Sequence, residues 1–142
     1  MTLDGLGDLN WLAVLVAALA YFILGAIWFA PPVFGKAWIK ASGAQMPERG
    51  QRPGAAIYIG PLVGAIIAAV ATGLLAAATQ TDTVSEGLIL GLVVGIGYAL
   101  SVVLTTAIFE TSKPQKGVWF LITGLYHVVG VVLAALILAL WS

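Results

Sequence analysis

Four long apolar runs divide the chain, and the gaps beside them alternate between those that hold every basic residue and those that hold acids only. Lys36, Lys40, Arg49 and Arg52 follow the first run, and Lys113 and Lys116 follow the third, which accounts for all six basic residues. Asp4 and Asp8 precede the first run, Asp82 and Glu86 follow the second, and no charged side chain follows the fourth. A water-soluble core gains nothing from sorting charge in this way. A membrane does impose it, because short loops rich in Lys and Arg are retained on the cytoplasmic side. The pattern predicts four crossings with both termini outside.

Composition supports the same reading. Of 142 residues, 61% are hydrophobic and 8% charged, against roughly 45–50% and about 25% in soluble domains. At about 20 residues per crossing, four spans use most of the chain, so residues 1–142 read as one transmembrane domain. A formal net charge of zero argues against nucleic acid as a partner. With no cysteine, disulfides and thiolate chemistry are excluded. A cleavable signal peptide is not expected, since no basic residue precedes the first run, which is longer than a signal core.

The spans are predicted at about 9–30, 54–79, 87–109 and 117–141, an all-α integral membrane four-helix bundle. Pro31-Pro32 ends the first. Phe34, Trp38 and Ile39 then alternate with Lys36 and Lys40, predicting a short interfacial amphipathic segment with aromatics towards lipid. Residues 42–53 form a polar loop. The short turn over residues 80–86 predicts that spans two and three are antiparallel neighbours, and Pro61 is expected to mark the start of the second helix. Trp11 and Trp141 fall at the outer ends, and Trp28, Trp38 and Trp119 at the inner ends. These positions suit interfacial anchors. An internal repeat linking Tyr21 and Lys36-Ala37-Trp38 to Tyr98, Lys113 and Trp119 covers too few residues to separate from chance.

Small residues recur every fourth position in two spans. Gly60, Gly64, Ala68, Thr72 and Ala76 make one ladder, and Gly87, Gly91, Gly95 and Ala99 the other. Helices in lipid associate through close backbone approach, so each ladder is either packing within one subunit or a seam for self-association.

Polar residues inside spans are costly and are candidates for function. His127, the single histidine, lies roughly 15 Å into the fourth span at 1.5 Å per residue, with Thr123, Gly130, Val131 and Ala134 on its side of the helix. It is able to titrate near neutral pH or to serve as a neutral hydrogen-bonding group. Tyr21 and Tyr98 sit near mid-span and Tyr126 adjoins His127, so a core cluster of Tyr21, Tyr98, Tyr126 and His127 is expected. Such a cluster would either pack the bundle or line an aromatic pocket. Glu110 ends the third span close to Lys113 and Lys116, as a surface ion pair or as the acid partner of His127. No acid lies within a span, no His or acid pair has metal-ligand spacing, and no Gly-rich phosphate loop occurs. No catalytic residue, metal or cofactor is expected.

Asn10-Trp11-Leu12-Ala13, Gly25, Trp28, the proline pair, Phe34-Gly35-Lys36, Trp38 and Gly43 together resemble the domain-of-unknown-function 1761 family. Phe109-Glu110, Gly124 with Tyr126, and Leu140-Trp141 are similar to it too. The resemblance implies a four-span fold in a prokaryotic cell (inner) membrane, and it brings no activity or catalytic residue with it. This chain departs from the pattern by the acidic stretch over residues 1–9, and His127 is outside the pattern. The expected role is a homo-oligomeric scaffold, an accessory to another membrane protein, or a channel- or transporter-like unit. The alternative is a membrane-embedded enzyme or a proton-linked solute transporter using His127.

Overall fold

The structure is a computed structural model that describes residues 3–45 and 54–141. Arg49, Arg52 and most of the polar loop lie outside the described residues. The helices are α1 (Trp11–Trp28), α2 (Lys36–Ser42), α3 (Ala56–Thr79), α4 (Val84–Val94), α5 (Ser101–Phe109) and α6 (Lys116–Leu140). A π-turn over Gly95–Leu100 joins α4 to α5, making them one span. Four helices, of 18, 24, 26 and 25 residues, are long and apolar enough to cross a bilayer. The chain is a multi-pass helical membrane protein with one further short helix, α2.

α6 is the hub and touches α1, α2, α3, α4 and α5. Small side chains make this possible, because Gly124, Gly130, Ala134, Ala135 and Ala139 are among its buried positions. α3 packs against both α1 and α6, through Ala65, Ala69, Gly73 and Ala76. The third span instead lies on α6 alone. α3 and α4 scarcely touch, so the expectation that spans two and three are antiparallel neighbours does not hold. Their small faces are committed elsewhere: the α3 alanines seat α1, and the α4 glycines seat α6. The turn between them is well built all the same. Gln80 takes a left-handed conformation at φ 53°, and Thr83 and Glu86 form a reciprocal capping box at the start of α4.

The first span is an unbroken helix that ends just before the proline pair. α1 stops at Trp28, and Pro31–Gly35 forms a π-turn in which the Gly35 N–H donates to the Ala30 carbonyl at 3.0 Å. A Cβ at Gly35 would collide with the Phe29 carbonyl, which gives the Phe-Gly-Lys element a steric reason. α2 then docks beside α6: the Gln115 N–H donates to the Ala41 carbonyl at 3.2 Å, and Ala41 is buried. Lys36 and Lys40 face outward, but the aromatic side of α2 is turned towards the bundle rather than towards lipid. Pro61 also departs from expectation. α3 begins five residues earlier, at Ala56, so Pro61 sits in the second turn and removes the donor that the Ile57 carbonyl would otherwise meet.

At the acidic end, Asn10 ties the first and last helices together. Its Oδ1 accepts from the Ala13 N–H at 3.1 Å as the N-cap of α1, while Nδ2 donates to the Trp141 carbonyl at 2.9 Å. One side chain thus satisfies an orphan donor of α1 and an orphan acceptor at the end of α6. Asn10→Ala is expected to lower stability by about 1–2 kcal/mol, with Asn10→Asp recovering the cap but not the inter-helix bond. Denaturation of the purified protein in detergent, read by tryptophan fluorescence, measures both.

Candidate functional site

The buried polar chemistry of the bundle gathers where α1 crosses α6. Tyr21 comes from the α1 face that also carries Ala13, Val14, Ala17 and Ala18, the side turned to α6. Its hydroxyl lies 2.7 Å from His127 Nδ1, with the His127 carbonyl at 3.5 Å. With the phenol as donor, the imidazole carries its own proton on Nε2. Tyr126 packs against both in tilted contacts, its ring 5.4 Å from Tyr21 and 4.8 Å from His127.

Two glycines make room for these rings. A Cβ at Gly130 would overlap the Cδ2–Cε2 edge of the Tyr21 ring, and a Cβ at Gly25 would stand 2.8 Å from the Tyr126 hydroxyl. Each helix therefore offers a notch to a tyrosine of the other. Both tyrosines are buried, Tyr21 at 4% and Tyr126 at 8% exposed, while His127 is partly buried.

Towards the basic end the cluster continues as aromatic packing. Phe29 meets Tyr126 at 5.0 Å and Trp38 at 5.4 Å, and Trp28 meets Phe34 at 4.8 Å. The Trp28 indole donates to the Ile122 carbonyl at 3.0 Å, and the Trp38 indole donates to Thr123 Oγ1 at 3.1 Å. Trp119 is buried against Ala41, Val103 and Ala107, with the Lys113 ammonium 4.5 Å from its ring. So Trp28, Trp38 and Trp119, read as interfacial anchors, direct their indoles into the bundle, where α6 supplies the acceptors for two of them. Trp11 and Trp141 are exposed at the opposite end.

The remaining candidates lie elsewhere. Tyr98 does not join Tyr21 and His127: it is 71% exposed on the outward side of the third span, because Gly91 and Gly95 take the side facing α6. Glu110 stays within its own loop. Ser112 hydrogen bonds and, after them, the Lys113 charge hold its carboxyl below the usual carboxylate range. Its ion pair with Lys113 measures 3.8 Å, and none of its contacts includes His127. No group of His, Cys, Asp and Glu able to hold a metal occurs among the described residues. A cavity of about 130 Å³ opens at the acidic end between α1, α3 and α6, lined by Leu9, Asn10, Val14, Gly73, Leu138 and Trp141 among others. It does not reach Tyr21, Tyr98 or His127.

The Gly87–Gly95 ladder packs inside the subunit, and the α3 ladder is split, with Thr72 and Ala76 buried and its glycine end open. Added Cβ atoms at Gly87, Gly91 and Gly95 would come within 2.9, 2.6 and 3.1 Å of α6 atoms, so this ladder is the α4–α6 seam. At Gly60 and Gly64 nothing lies within 4 Å of such an atom, and Ala68 is only partly covered. Asn10, Gly25 and Gly130 stand out in the sequence, but the contacts they make here do not. Asn10 carried a visible signal, an N-cap residue directly before an apolar run, whereas the glycine notches depend on a crossing that spacing alone does not reveal.

A family model described as "Protein of unknown function (DUF1761)" matches residues 12–139 of the chain. The chain belongs to this family. No curated protein and no solved structure matches it.

Proposed function

We propose that this DUF1761 member is a non-catalytic, self-associating scaffold of a prokaryotic cell membrane, with its basic loops in the cytoplasm and both termini outside. The observation that carries this reading is the Tyr21–Tyr126–His127 cluster, whose two tyrosines are buried. The Tyr21 hydroxyl and His127 Nδ1 hold α1 on α6, the tyrosine rings fill the glycine notches, and the described cavity lies apart from the cluster. A transporter needs the reverse, a polar site that opens to water. An enzyme needs converging acid and base, and Glu110 and His127 have separate partners. The orientation is supported by the confinement of every Lys and Arg to one set of loops. Self-association is supported by the open Gly60–Gly64 face, where backbones are able to approach closely.

The Tyr21–His127 bond favours a second reading, proton-linked movement of a small solute, because a histidine beside a phenol is a plausible proton carrier. Reconstitution into liposomes enclosing a pH-reporting dye separates the two. The scaffold reading expects proton leak under an imposed gradient to equal that of protein-free vesicles, and His127→Gln to lower stability without altering leak. A flux that His127→Gln abolishes, in protein of unchanged fold, would establish the transporter instead.

A further inference from the structure

α2 lies on the flank of the bundle, beside α6. The Trp38 indole reaches Thr123 Oγ1, two turns into α6, whereas the Ala41 carbonyl accepts from the Gln115 N–H, just before α6 begins at Lys116. The short α2 helix therefore runs along the first turns of α6. α6 has 25 residues, about 37 Å by helix rise, against a hydrocarbon core of about 30 Å. Its ends thus stand in the headgroup layers, and α2 stands there with one of them. The inward side of α2 is taken up by α6, where Ala41 is buried. Lys36 and Lys40 are both exposed on the other side. Four residues apart, they share one face with Cβ atoms about 5–6 Å from each other.

We propose that Lys36 and Lys40 together hold the phosphate of an anionic phospholipid in the leaflet around α2. Their charge has no answer among the described residues. Glu110 is engaged by Ser112 and by Lys113, and Glu48, the other acid on this side, lies outside the described residues. The remaining two lysines here are occupied. Lys113 pairs with Glu110 and lies 4.5 Å from the Trp119 ring, and Lys116 donates to the Ile108 carbonyl at 3.5 Å. Two like charges one turn apart repel each other, and an anion shared between them removes that repulsion. A phosphate accepts a charge-assisted hydrogen bond from each ammonium. A zwitterionic headgroup brings its own cation to compete with the lysines, so the pair selects lipids of net negative charge. Position favours a lipid over a dissolved anion, because the pair faces sideways at headgroup depth. Val33 and Phe34, exposed in the preceding π-turn, offer apolar surface to the same lipid. The inference goes beyond the scaffold reading and holds for whichever leaflet surrounds α2.

The probes are phosphatidylglycerol and phosphatidylcholine with identical chains, titrated onto the delipidated protein in detergent and counted by native mass spectrometry. The lysine pair predicts roughly tenfold tighter binding of phosphatidylglycerol. Lys36→Gln with Lys40→Gln is expected to abolish that preference, and Lys36→Arg with Lys40→Arg to keep it. Lys113→Gln with Lys116→Gln is expected to change it less than about twofold, since those ammonium groups are engaged within the chain. Unfolding midpoints show that each double variant keeps its fold. Equal binding of the two lipids by the unsubstituted chain overturns the site. A preference that survives Lys36→Gln with Lys40→Gln, or that falls as far with Lys113→Gln and Lys116→Gln, overturns it too, because the charge contacts then lie elsewhere. Displacement of phosphatidylglycerol by inorganic phosphate at constant ionic strength overturns the lipid as occupant. The same spectra count subunits, so a monomer that keeps the preference supports this site while the scaffold reading fails.

Discussion

Gly91→Leu is expected to detach the third span from the bundle, lowering stability by about 3 kcal/mol or more. A Cβ at this position would stand 2.6 Å from Val132 Cα, and that neighbour is backbone, which cannot rotate aside. The helices must separate over the whole seam, because Gly87 and Gly95 bring α4 and the π-turn equally close to Ala139 and Val128. Overpacking of this kind costs about 1–3 kcal/mol where side chains can adjust, and here the dispersion contacts of a complete interface are lost as well. No other element replaces them, since α3 and α4 scarcely touch. Gly64→Leu is the internal comparison: it has the same chemistry and similar spacing, but open space around it, and its effect on the subunit is expected within about 0.5 kcal/mol. Unfolding midpoints of the two variants in one detergent decide the matter. Equal midpoints would contradict the assignment of the two faces.

That contrast marks where sequence reading stops. The spans were legible because each is apolar for longer than a bilayer is thick, and Pro31 and the charged loops mark their limits. Spacing also exposed both glycine ladders, since small residues four apart share a helix face. Which neighbour that face meets is a tertiary fact that the period does not carry. So the Gly87–Gly95 ladder and the Gly60–Gly64 ladder look alike in sequence and behave oppositely in the fold. Trp38 shows the same limit on a smaller scale. Its place between two lysines suggested an anchor in the headgroups, but Thr123 on another helix offers its hydroxyl oxygen, and the indole N–H turns inward to it. Tyr98 and Tyr21 share a depth and a residue type, and only the side of the helix separates a core phenol from an outward one. The pairing of Tyr21 with His127 was within reach, because few polar groups lie at that depth and each needs a partner.

Gly130→Ala tests that pairing with a single methyl group. The added Cβ would overlap the Cδ2–Cε2 edge of the Tyr21 ring, so the ring has to leave the notch. Its hydroxyl then leaves His127 Nδ1, now 2.7 Å away, and the His127 carbonyl at 3.5 Å. Displacing the ring costs about 1–3 kcal/mol, and the broken buried hydrogen bond about 1–3 kcal/mol more. A total of about 3 kcal/mol is expected, larger than for Tyr21→Phe, which keeps the ring in place and gives up only the bond. The sharper measure is the double variant. With Tyr21→Leu already present, the notch is partly empty and Gly130→Ala has less to displace, so the two losses should combine to well below their sum. Additive losses in detergent unfolding would mean that Gly130 and Tyr21 are not in contact, and that α1 is held on α6 by something other than this pair.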